Sequence, residues 1–255
     1  MPMPSSFRQR LGSGGKLSGT FIKTPTGHAI EIFGDLGFDF VVIDEEHAPF
    51  DRHAIDQAIV AARAAQTAAL VRVASAQPWH LLSSLDCGAD GLLVPHVASA
   101  EMARQVVAHC KYANGKRGFS NSPRAGRFGG RALGEHVSHA DSVTVIVAQI
   151  EDPEALPQVD AIAAVDGIDA LFIGRGDLAV AMGAATSDAP EVRAAAEHVA
   201  RAARAANKPV MVFVGNKADA QAMRDIGASA FIYSSDQGLM RQAAAKARAE
   251  IADVK

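Results

Sequence analysis

Short apolar segments alternate with longer amphipathic segments along almost the whole chain. Segments such as Phe40–Ile43 are apolar at consecutive positions, which is typical of parallel strands covered on both faces. Eight strands are predicted on this basis, at Leu17–Ile22, Phe38–Ile43, Ala69–Val73, Gly91–Pro95, Thr144–Ile150, Ala170–Gly174, Pro209–Val214 and Ala230–Ser234.

The intervening segments repeat apolar residues every three or four positions, most clearly at Pro190–Ala206 and Gln237–Val254, as amphipathic helices do. Glycines at predicted C-termini and Asp or Ser at predicted N-termini support these helices: Gly37, Gly88, Gly227, Asp51, Ser99 and Asp236. Eight strands, each followed by a helix, predict an α/β fold of one domain, a closed (β/α)8 TIM barrel. An open doubly wound sheet is the alternative, but the residues after Ile22 are not the glycine-rich turn of that fold.

The chain length of 255 residues suits a single barrel. We predict that residues 16–255 form the barrel. Residues 1–15 are polar, small and basic and are predicted to be a flexible N-terminal tail, since they lack the apolar stretch of a secretory signal. Cys87 and Cys110 have no paired metal spacing, so we predict buried free thiols in a reducing cytoplasm.

Composition and charge narrow the partners. The chain is 49% hydrophobic but only 5% aromatic, and 25 basic residues against 28 acidic ones give a formal charge of −3. This balance offers no electrostatic basis for binding nucleic acid or an anionic membrane. No apolar segment approaches the roughly 20 residues of a membrane span. We therefore expect neither kind of partner.

One segment, Tyr112–Asp141, interrupts the alternation and is rich in Gly and Arg between residues 115 and 134. Because it follows the fourth strand, we expect it at the carboxyl-terminal face, where barrel active sites lie. A functional, lid-like loop is the preferred interpretation. A mobile surface loop and an RNA-binding tract are the alternatives.

Polar side chains stand at the predicted carboxyl ends of four strands. They are Asp44, Glu45, Glu46 and His47 after strand 2, Arg72 on strand 3, Gln149 and Glu151 on strand 5, and Gly174 to Asp177 after strand 6. Any one of these groups has an ordinary explanation, such as a structural ion pair or a helix cap. A barrel, however, brings all four strand ends to one mouth, and this convergence predicts a site.

Two carboxylates in this set suit a cation. Gln149 and Glu151 are two residues apart on an extended segment, so both side chains can point toward the barrel axis. Asp177 comes from the neighbouring strand end. Such oxygen donors favour a hard divalent ion such as Mg²⁺ or Mn²⁺, although a solvated acidic rim is the alternative. His47 and Arg72 then supply a titratable base and a fixed cation nearby.

These residues occur in runs that resemble the HpcH/HpaI aldolase family of class II pyruvate aldolases. The runs are Val42–Pro49, Val71–Arg72, Leu92–Pro95, Gln149–Glu151 and Phe172–Gly174 followed by Asp177–Leu178. The similarity extends in order from about Gly19 to the last helix. It implies a metal-dependent carbon–carbon lyase that cleaves or forms 4-hydroxy-2-oxo acids, giving pyruvate or a related 2-oxo acid and an aldehyde through a metal-bound enolate.

The resemblance also implies residue roles. Glu151 and Asp177 match the ligands of a divalent cation, namely Mg²⁺, Mn²⁺ or Co²⁺. Arg72 matches the arginine that contacts the keto oxygen of the substrate, and His47 matches the catalytic base. The other matched residues are Asp44 and Glu46, which would orient His47 or bind metal-linked water, Gln149 and Gly176, which together with Asp177 would contact the substrate, and Asp86.

Asp86 matches an acidic residue that reaches a neighbouring subunit's site in relatives. A homohexamer built from two trimers is therefore expected. The chain departs from the family where relatives have Gly-Pro-x-Asp-Leu, because it has Gly174-Arg175-Gly176-Asp177-Leu178. Loss of the proline predicts a more flexible turn and a cation near the mouth.

Three other functions compete with this one. A Schiff-base aldolase needs a desolvated lysine inside the barrel, and Lys23 is the best candidate, ahead of Lys217. A citrate-lyase-like enzyme acting on acyl-CoA esters would share the metal chemistry. A barrel that only binds a 2-oxo acid would not need His47, Arg72, Glu151 and Asp177 together.

Overall fold

Eight parallel strands pair in chain order and close into a barrel in the computed structural model, which describes residues 6–252 and 254. The strands are β1 (Leu17–Ile22), β2 (Phe40–Asp44), β3 (Ala68–Arg72), β4 (Gly91–Val94), β5 (Val145–Ile150), β6 (Ala170–Ile173), β7 (Val210–Val214) and β8 (Ala228–Ser235). The predicted TIM barrel is confirmed, and each strand starts and ends within about two residues of its predicted position.

Helices surround this barrel. They are α1 (Phe7–Gly12), α2 (Gly27–Asp35), α3 (Arg52–Ala64), α4 (Pro78–Cys87), α5 (Ala100–Cys110), α6 (Leu133–Val143), α7 (Val159–Ala163), α8 (Arg175–Ala181), α9 (Pro190–Ala205), α10 (Lys217–Ile226) and α11 (Asp236–Ala252). Two short 3-10 turns lie at Arg124–Gly126 and Pro153–Gln158. No helix of the described residues is long and apolar enough to cross a membrane.

The strands are apolar at consecutive positions because each one faces two cores. Val41 and Ile43 belong to the core between barrel and helices, whereas Phe40 and Val42 belong to the core inside the barrel. A Cβ atom on Gly19 would lie 2.4 Å from the Phe40 ring. Glycine at this position of β1 therefore makes room for the Phe40 ring in the core inside the barrel.

Most of the predicted helix ends are confirmed. The Asp51 side chain accepts a hydrogen bond from Ala54 N, and Ser99 caps α5 in the same way. Gly88 and Gly227 follow α4 and α10 with φ of 93° and 114°, a conformation that favours glycine. Asp236 differs, because its carboxylate accepts hydrogen bonds from the backbone N–H groups that follow β1 instead of capping α11.

Part of the predicted N-terminal tail is structured. Phe7–Gly12 form α1, which begins with a capping box at Ser6. Phe7 is 5% exposed and Leu11 1% exposed, and the Phe7 ring lies 5.3 Å from the Phe40 ring. Burial of these two side chains stabilises the contact between α1 and the amino-terminal end of the barrel. There α1 covers the core inside the barrel.

The Gly/Arg-rich segment lies at the amino-terminal end of the barrel, whereas the sequence predicted the carboxyl-terminal end. It follows α5, which runs back from the carboxyl end of β4, and it leads through α6 into the start of β5. Lys111 Nζ donates to the carbonyl oxygens of Asp141 and Thr144, just before β5. The expectation of a loop at the carboxyl-terminal face is therefore wrong, because the intervening helix reverses the chain direction.

Both cysteines are free and buried, as predicted. Cys87 ends α4 and Cys110 ends α5. Burial raises the pKa of the Cys110 thiol to about 12, so this thiol stays protonated at neutral pH and acts as a small apolar side chain.

Candidate active site

The carboxyl ends of β2, β3 and β5 gather most of the predicted residues at one rim. Asp44, the last residue of β2, is the register partner of Arg72, the last residue of β3. Gln149 lies on β5, with Glu151 directly after the strand. All four side chains belong to buried residues. Barrel closure thus brings together side chains that are far apart in sequence.

Asp44 is the most buried charge at this rim, with 0% exposure. Its Oδ1 and Oδ2 atoms accept hydrogen bonds from Arg72 Nε at 2.9 Å and Nη2 at 2.8 Å. Lys23 Nζ lies 2.9 Å from Oδ2. Burial alone would raise the pKa of Asp44, but the hydrogen bonds and charges of Arg72 and Lys23 outweigh it and lower the pKa. Asp44 is therefore an ionised anchor for two cations.

These contacts fix the plane of the Arg72 guanidinium. The group also stacks over the Phe21 ring, 4.5 Å from its centroid, and its Nε lies 3.4 Å from Glu46 Oε2. Cation–π stacking and a bidentate carboxylate restrict the group in different directions. The result is a cation whose remaining N–H groups have a fixed direction.

Glu46, His96 and Glu151 form a cluster that could hold a metal ion, since one donor atom from each lies within 4.8 Å of the others. Burial raises the pKa of Glu46 and of Glu151, and the negative charge of Asp177 adds to both shifts. Within residues 6–252, Glu46 Oε2 is buried and has no hydrogen-bond partner. Closely spaced carboxylates with raised pKa values and an unsatisfied oxygen fit a bound cation.

His96 was not predicted from the sequence. It directly follows Pro95 at the end of β4, with φ of 55°, and its backbone N–H donates to Glu151 Oε1 at 2.8 Å. Like the predicted residues, His96 is a polar residue at the carboxyl end of a strand, so the same sequence signal at β4 identifies it. Its ring is 59% exposed, and Nδ1 lies 3.1 Å from Asp152 Oδ1.

His47 lies in the turn after β2, with its side chain 55% exposed. Asp44 accepts a hydrogen bond from the His47 backbone N–H, not from the ring. The ring Nε2 instead lies 3.6 Å from Glu46 Oε2. Of the two carboxylates predicted to orient the imidazole, Glu46 is thus the one beside it, and Asp44 shapes the turn.

A cavity of about 370 Å³ opens beside these groups. Its lining includes Arg72, Gln149, Gly176, Asp177 and Lys23. Gln149 donates a hydrogen bond from Nε2 to Glu151, while its buried Oε1 has no hydrogen-bond partner. The cavity is therefore lined by the cations Lys23, Arg72 and Arg175, by the Asp177 carboxylate and by the Gln149 amide, a set of polar groups that suits a small anion with a carbonyl group.

The turn after β6 approaches Glu151 closely. A Cβ atom on Gly174 would lie 2.5 Å from the Glu151 Cβ, so only glycine allows this approach. Asp177 lies in the first turn of α8. It is close enough to raise the pKa of Glu46 and Glu151, whose pKa values are first raised by burial.

Arg175 restrains the turn after β6 through hydrogen bonds. Its Nη1 donates to Asp188 at 3.1 Å, and its Nη2 donates to Asp219 and to the Phe213 carbonyl oxygen, both at 2.8 Å. The predicted cation does lie near the mouth, since Arg175 lines the cavity. The sequence predicted a more flexible turn because the proline is missing. The hydrogen bonds of Arg175 to two carboxylates and to β7 instead restrain the turn, as the proline would.

Asp86 does not lie at the mouth of its own barrel. It lies near the end of α4, 8% exposed, and accepts a hydrogen bond from Arg117 Nη2 at 3.1 Å. The other predicted catalytic residues lie at the opposite ends of the strands. A role for Asp86 in this chain's own site is therefore not supported by its position.

The family profile described as HpcH/HpaI aldolase/citrate lyase matches residues 17–243. A protein named 5-keto-4-deoxy-D-glucarate aldolase, from Enterobacter sp. strain 638, is 34% identical over 245 residues, which is 95% of both chains. A protein with the same name from Escherichia coli O6:H1 is 33% identical, again over 95% of both chains.

Solved structures agree with this relationship. A HpcH/HpaI aldolase/citrate lyase family protein from Burkholderia cenocepacia J2315 superposes with a TM-score of 0.92 at 29% identity, covering 96% of this chain and 98% of the other. A citrate synthase, SbnG, superposes with a TM-score of 0.87 at 28% identity, covering 96% of both chains.

Metal titration of four variants identifies the carboxylates that hold a cation. We expect Glu151→Gln and Asp177→Asn to weaken Mn²⁺ binding by at least the roughly 10- to 100-fold that changes beside a metal site cost. His96→Ala should stay near the parent, because the His96 ring is 59% exposed and its Nδ1 lies 3.1 Å from Asp152, which is not one of the two proposed ligands. Asp160→Asn, at a side chain 76% exposed on α7, is the control.

The opposite pattern, with parent affinity in Asp177→Asn and lost affinity in His96→Ala, would identify Glu46, His96 and Glu151 as the ligand set. Calorimetry or Mn²⁺ electron paramagnetic resonance measures the affinity directly. Neither readout depends on turnover.

Proposed function

The chain belongs to the HpcH/HpaI aldolase/citrate lyase family and is a carbon–carbon lyase of the class II aldolase type, and from this premise we propose the reaction itself. It cleaves a 4-hydroxy-2-oxo acid into pyruvate, or a related 2-oxo acid, and an aldehyde, and it catalyses the reverse condensation. The aldolases named above support a substrate derived from a sugar acid.

The observation that carries this proposal is the Arg72 guanidinium, which Asp44 holds in place and which lines a cavity together with Asp177 and Gln149. Glu46 lies 3.4 Å from this guanidinium, and Glu151 accepts a hydrogen bond from Gln149. A divalent ion, which we propose to be Mg²⁺, Mn²⁺ or Co²⁺ on Glu151 and Asp177, would supply a Lewis acid that polarises the keto group. Arg72 would stabilise the negative charge that develops on the keto oxygen as the C3–C4 bond breaks.

Gln149 and the first turn of α8 would position the substrate carboxylate. Gln149 and Gly176 line the same cavity as Arg72. Contacts from two sides leave the keto oxygen near the guanidinium and the C4 hydroxyl near the rim, where His47 lies. Substrate orientation of this kind contributes to the rate because reacting groups meet in one geometry.

In the cleavage direction, His47 would accept the C4 hydroxyl proton while the C3–C4 electron pair moves into the enolate of the 2-oxo acid. The aldehyde leaves, and C3 of the enolate takes up a proton. In the condensation direction His47 would remove the C3 proton. The exposed ring and its Glu46 neighbour at 3.6 Å support a group that exchanges protons with solvent.

Two rival mechanisms are less well supported. The Lys23 ammonium lies 2.9 Å from the buried Asp44 carboxylate, whereas a Schiff-base lysine needs a site that disfavours its charge. Lys217 begins α10 and is exposed. An acyl-CoA lyase shares the donor set, and the similarity to a citrate synthase keeps it as the second candidate.

The decisive assay measures pyruvate release from a panel of 4-hydroxy-2-oxo acids, with acyl-CoA esters as a parallel panel. We expect release that requires added Mg²⁺, Mn²⁺ or Co²⁺ and disappears after chelation. Borohydride with pyruvate should trap no adduct. Full activity of metal-free protein, or turnover of the CoA esters alone, would contradict the proposal.

Arg72→Lys should retain the charge but lose most of the activity. A lysine cannot make two hydrogen bonds to Asp44 and still direct an N–H group into the cavity, because its ammonium is a point charge on a flexible stem. We expect kcat/KM to fall by about 100-fold, the lower range for one lost oxyanion donor. Arg193→Lys on α9 is the matched control, and near-parent turnover of Arg72→Lys would remove this role.

His47→Ala should stop proton exchange and leave metal affinity unchanged. The measurement is the exchange of pyruvate C3 protons into deuterated water, followed by NMR, beside a Mn²⁺ titration. His53→Ala on α3 controls for loss of an exposed histidine. Exchange at the parent rate would exclude His47 as the base.

We also propose a homohexamer of two trimers, in the cytoplasm. Helix α11 extends from the barrel with only Asp236 buried among its 17 residues, and Met240 and Ile251 are 61% and 73% exposed. Packing against another subunit would cover these apolar groups. Light scattering should give the mass of six chains, and an active monomer would contradict this assembly.

A further inference from the structure

A second cavity, of about 340 Å³, lies at the amino-terminal face of the barrel. Asp90 and Thr144, which directly precede β4 and β5, mark its position, and it shares no lining residue with the cavity at the mouth. Its basic lining residues come from α3, from α6 and from the Gly/Arg-rich segment between α5 and α6: Arg63, Arg117, Arg124, Arg127, Arg131 and His139.

Three of these guanidinium groups have buried hydrogen-bond donors without acceptors. The Nε atoms of Arg117, Arg124 and Arg131 are buried and find no hydrogen-bond acceptor among the residues that the structure describes. The Arg117 side chain is 1% exposed, and the Arg131 side chain is 10% exposed. Buried charged donors are costly when they are unsatisfied, so three in one cavity indicate that an acceptor belongs there.

The charges around the cavity do not balance. Arg117 pairs with Asp86, Arg124 with Asp56, and Arg131 Nε lies 3.7 Å from Glu135. The lining carboxylate, Asp90, has its pKa raised by burial. Five guanidinium groups are therefore accompanied by four carboxylates. A positive charge remains for a ligand to neutralise.

The pKa shifts agree with crowding of like charges. Burial lowers the pKa of Arg63, and the Arg124 guanidinium lowers it further. Burial and the charge of Arg127 have the same effect on Arg131. Arg131 and Arg127 also lower the pKa of His139, after the larger effect of burial.

We propose that this cavity is a phosphate-binding site, which takes inorganic phosphate or the phosphate group of a small metabolite. A phosphate dianion offers three strong acceptor oxygens to donors that converge from several directions, whereas one carboxylate is satisfied by a single guanidinium fork. A cavity of about 340 Å³ has room for a compact anion. An RNA-binding tract is less well supported, because the Arg117 and Arg131 side chains are 1% and 10% exposed.

The arrangement leaves the existing ion pairs in place. Arg117 bonds Asp86 through Nη2, and Arg124 bonds Asp56 through Nη2, while the Nε atom of each remains for the ligand. The carboxylates thus hold the guanidinium planes before the ligand arrives. Such preorganisation reduces the entropy lost on binding.

Calorimetric titration with inorganic phosphate, in a chloride buffer, tests the site in the full-length protein. We expect saturable binding that weakens about tenfold or more in Arg131→Gln and in Arg127→Gln, since one charge-assisted hydrogen bond contributes that much. Arg127 is exposed and should be replaced without loss of folding. Arg201→Gln, whose side chain is 64% exposed on α9, should bind like the parent.

A fourth variant separates this site from the mouth. Arg72→Gln removes the fixed cation of the candidate active site and should leave phosphate affinity unchanged. A parallel titration with glycerol 3-phosphate distinguishes the two sources, because tighter binding than inorganic phosphate assigns a metabolite and equal or weaker binding assigns the free ion. The proposal would be overturned by a lack of saturable binding at millimolar phosphate, by parent affinity in both Arg131→Gln and Arg127→Gln, or by loss of phosphate binding in Arg72→Gln.

Discussion

Closure of eight parallel strands is the constraint from which the rest of the molecule follows. The strands pair in chain order with no unpaired edge, so backbone polar groups are satisfied around the whole barrel and the side chains can be apolar on both faces. The charged side chains on the strands, Asp44 and Arg72, then stand at strand ends. Parallel direction places every carboxyl end at one end of the barrel, which is why residues from four strands share a rim.

At that rim, Asp44 has the largest influence. A fully buried carboxylate needs compensation, and it obtains this from Arg72 and Lys23. The same contacts hold Arg72 against Phe21 and within 3.4 Å of Glu46. A structural ion pair therefore determines the direction of the cation proposed to act on the substrate, and it places this cation beside Glu46, a member of the acidic cluster at the rim.

The two ends of the barrel have opposite chemical character. The carboxyl-terminal end concentrates carboxylates whose pKa values are raised by burial, and it is suited to a cation. The amino-terminal end is closed by α1 and surrounded by guanidinium groups with unsatisfied donors. A chain of nearly neutral composition thus has a carboxylate cluster at one end of the fold and an arginine-rich cavity at the other, a property that net charge does not reveal.

The sequence by itself determined the barrel, its eight strands and the polar strand ends, because apolar periodicity and helix caps are local signals. Only the tertiary structure decided what depends on distance. It brought His96 beside Glu151, turned Asp44 toward Arg72 instead of the His47 ring, and placed the Gly/Arg-rich segment at the amino-terminal end. It also buried Phe7 and Leu11 under the barrel. These contacts join residues from different elements, and no local pattern specifies which side chains will meet.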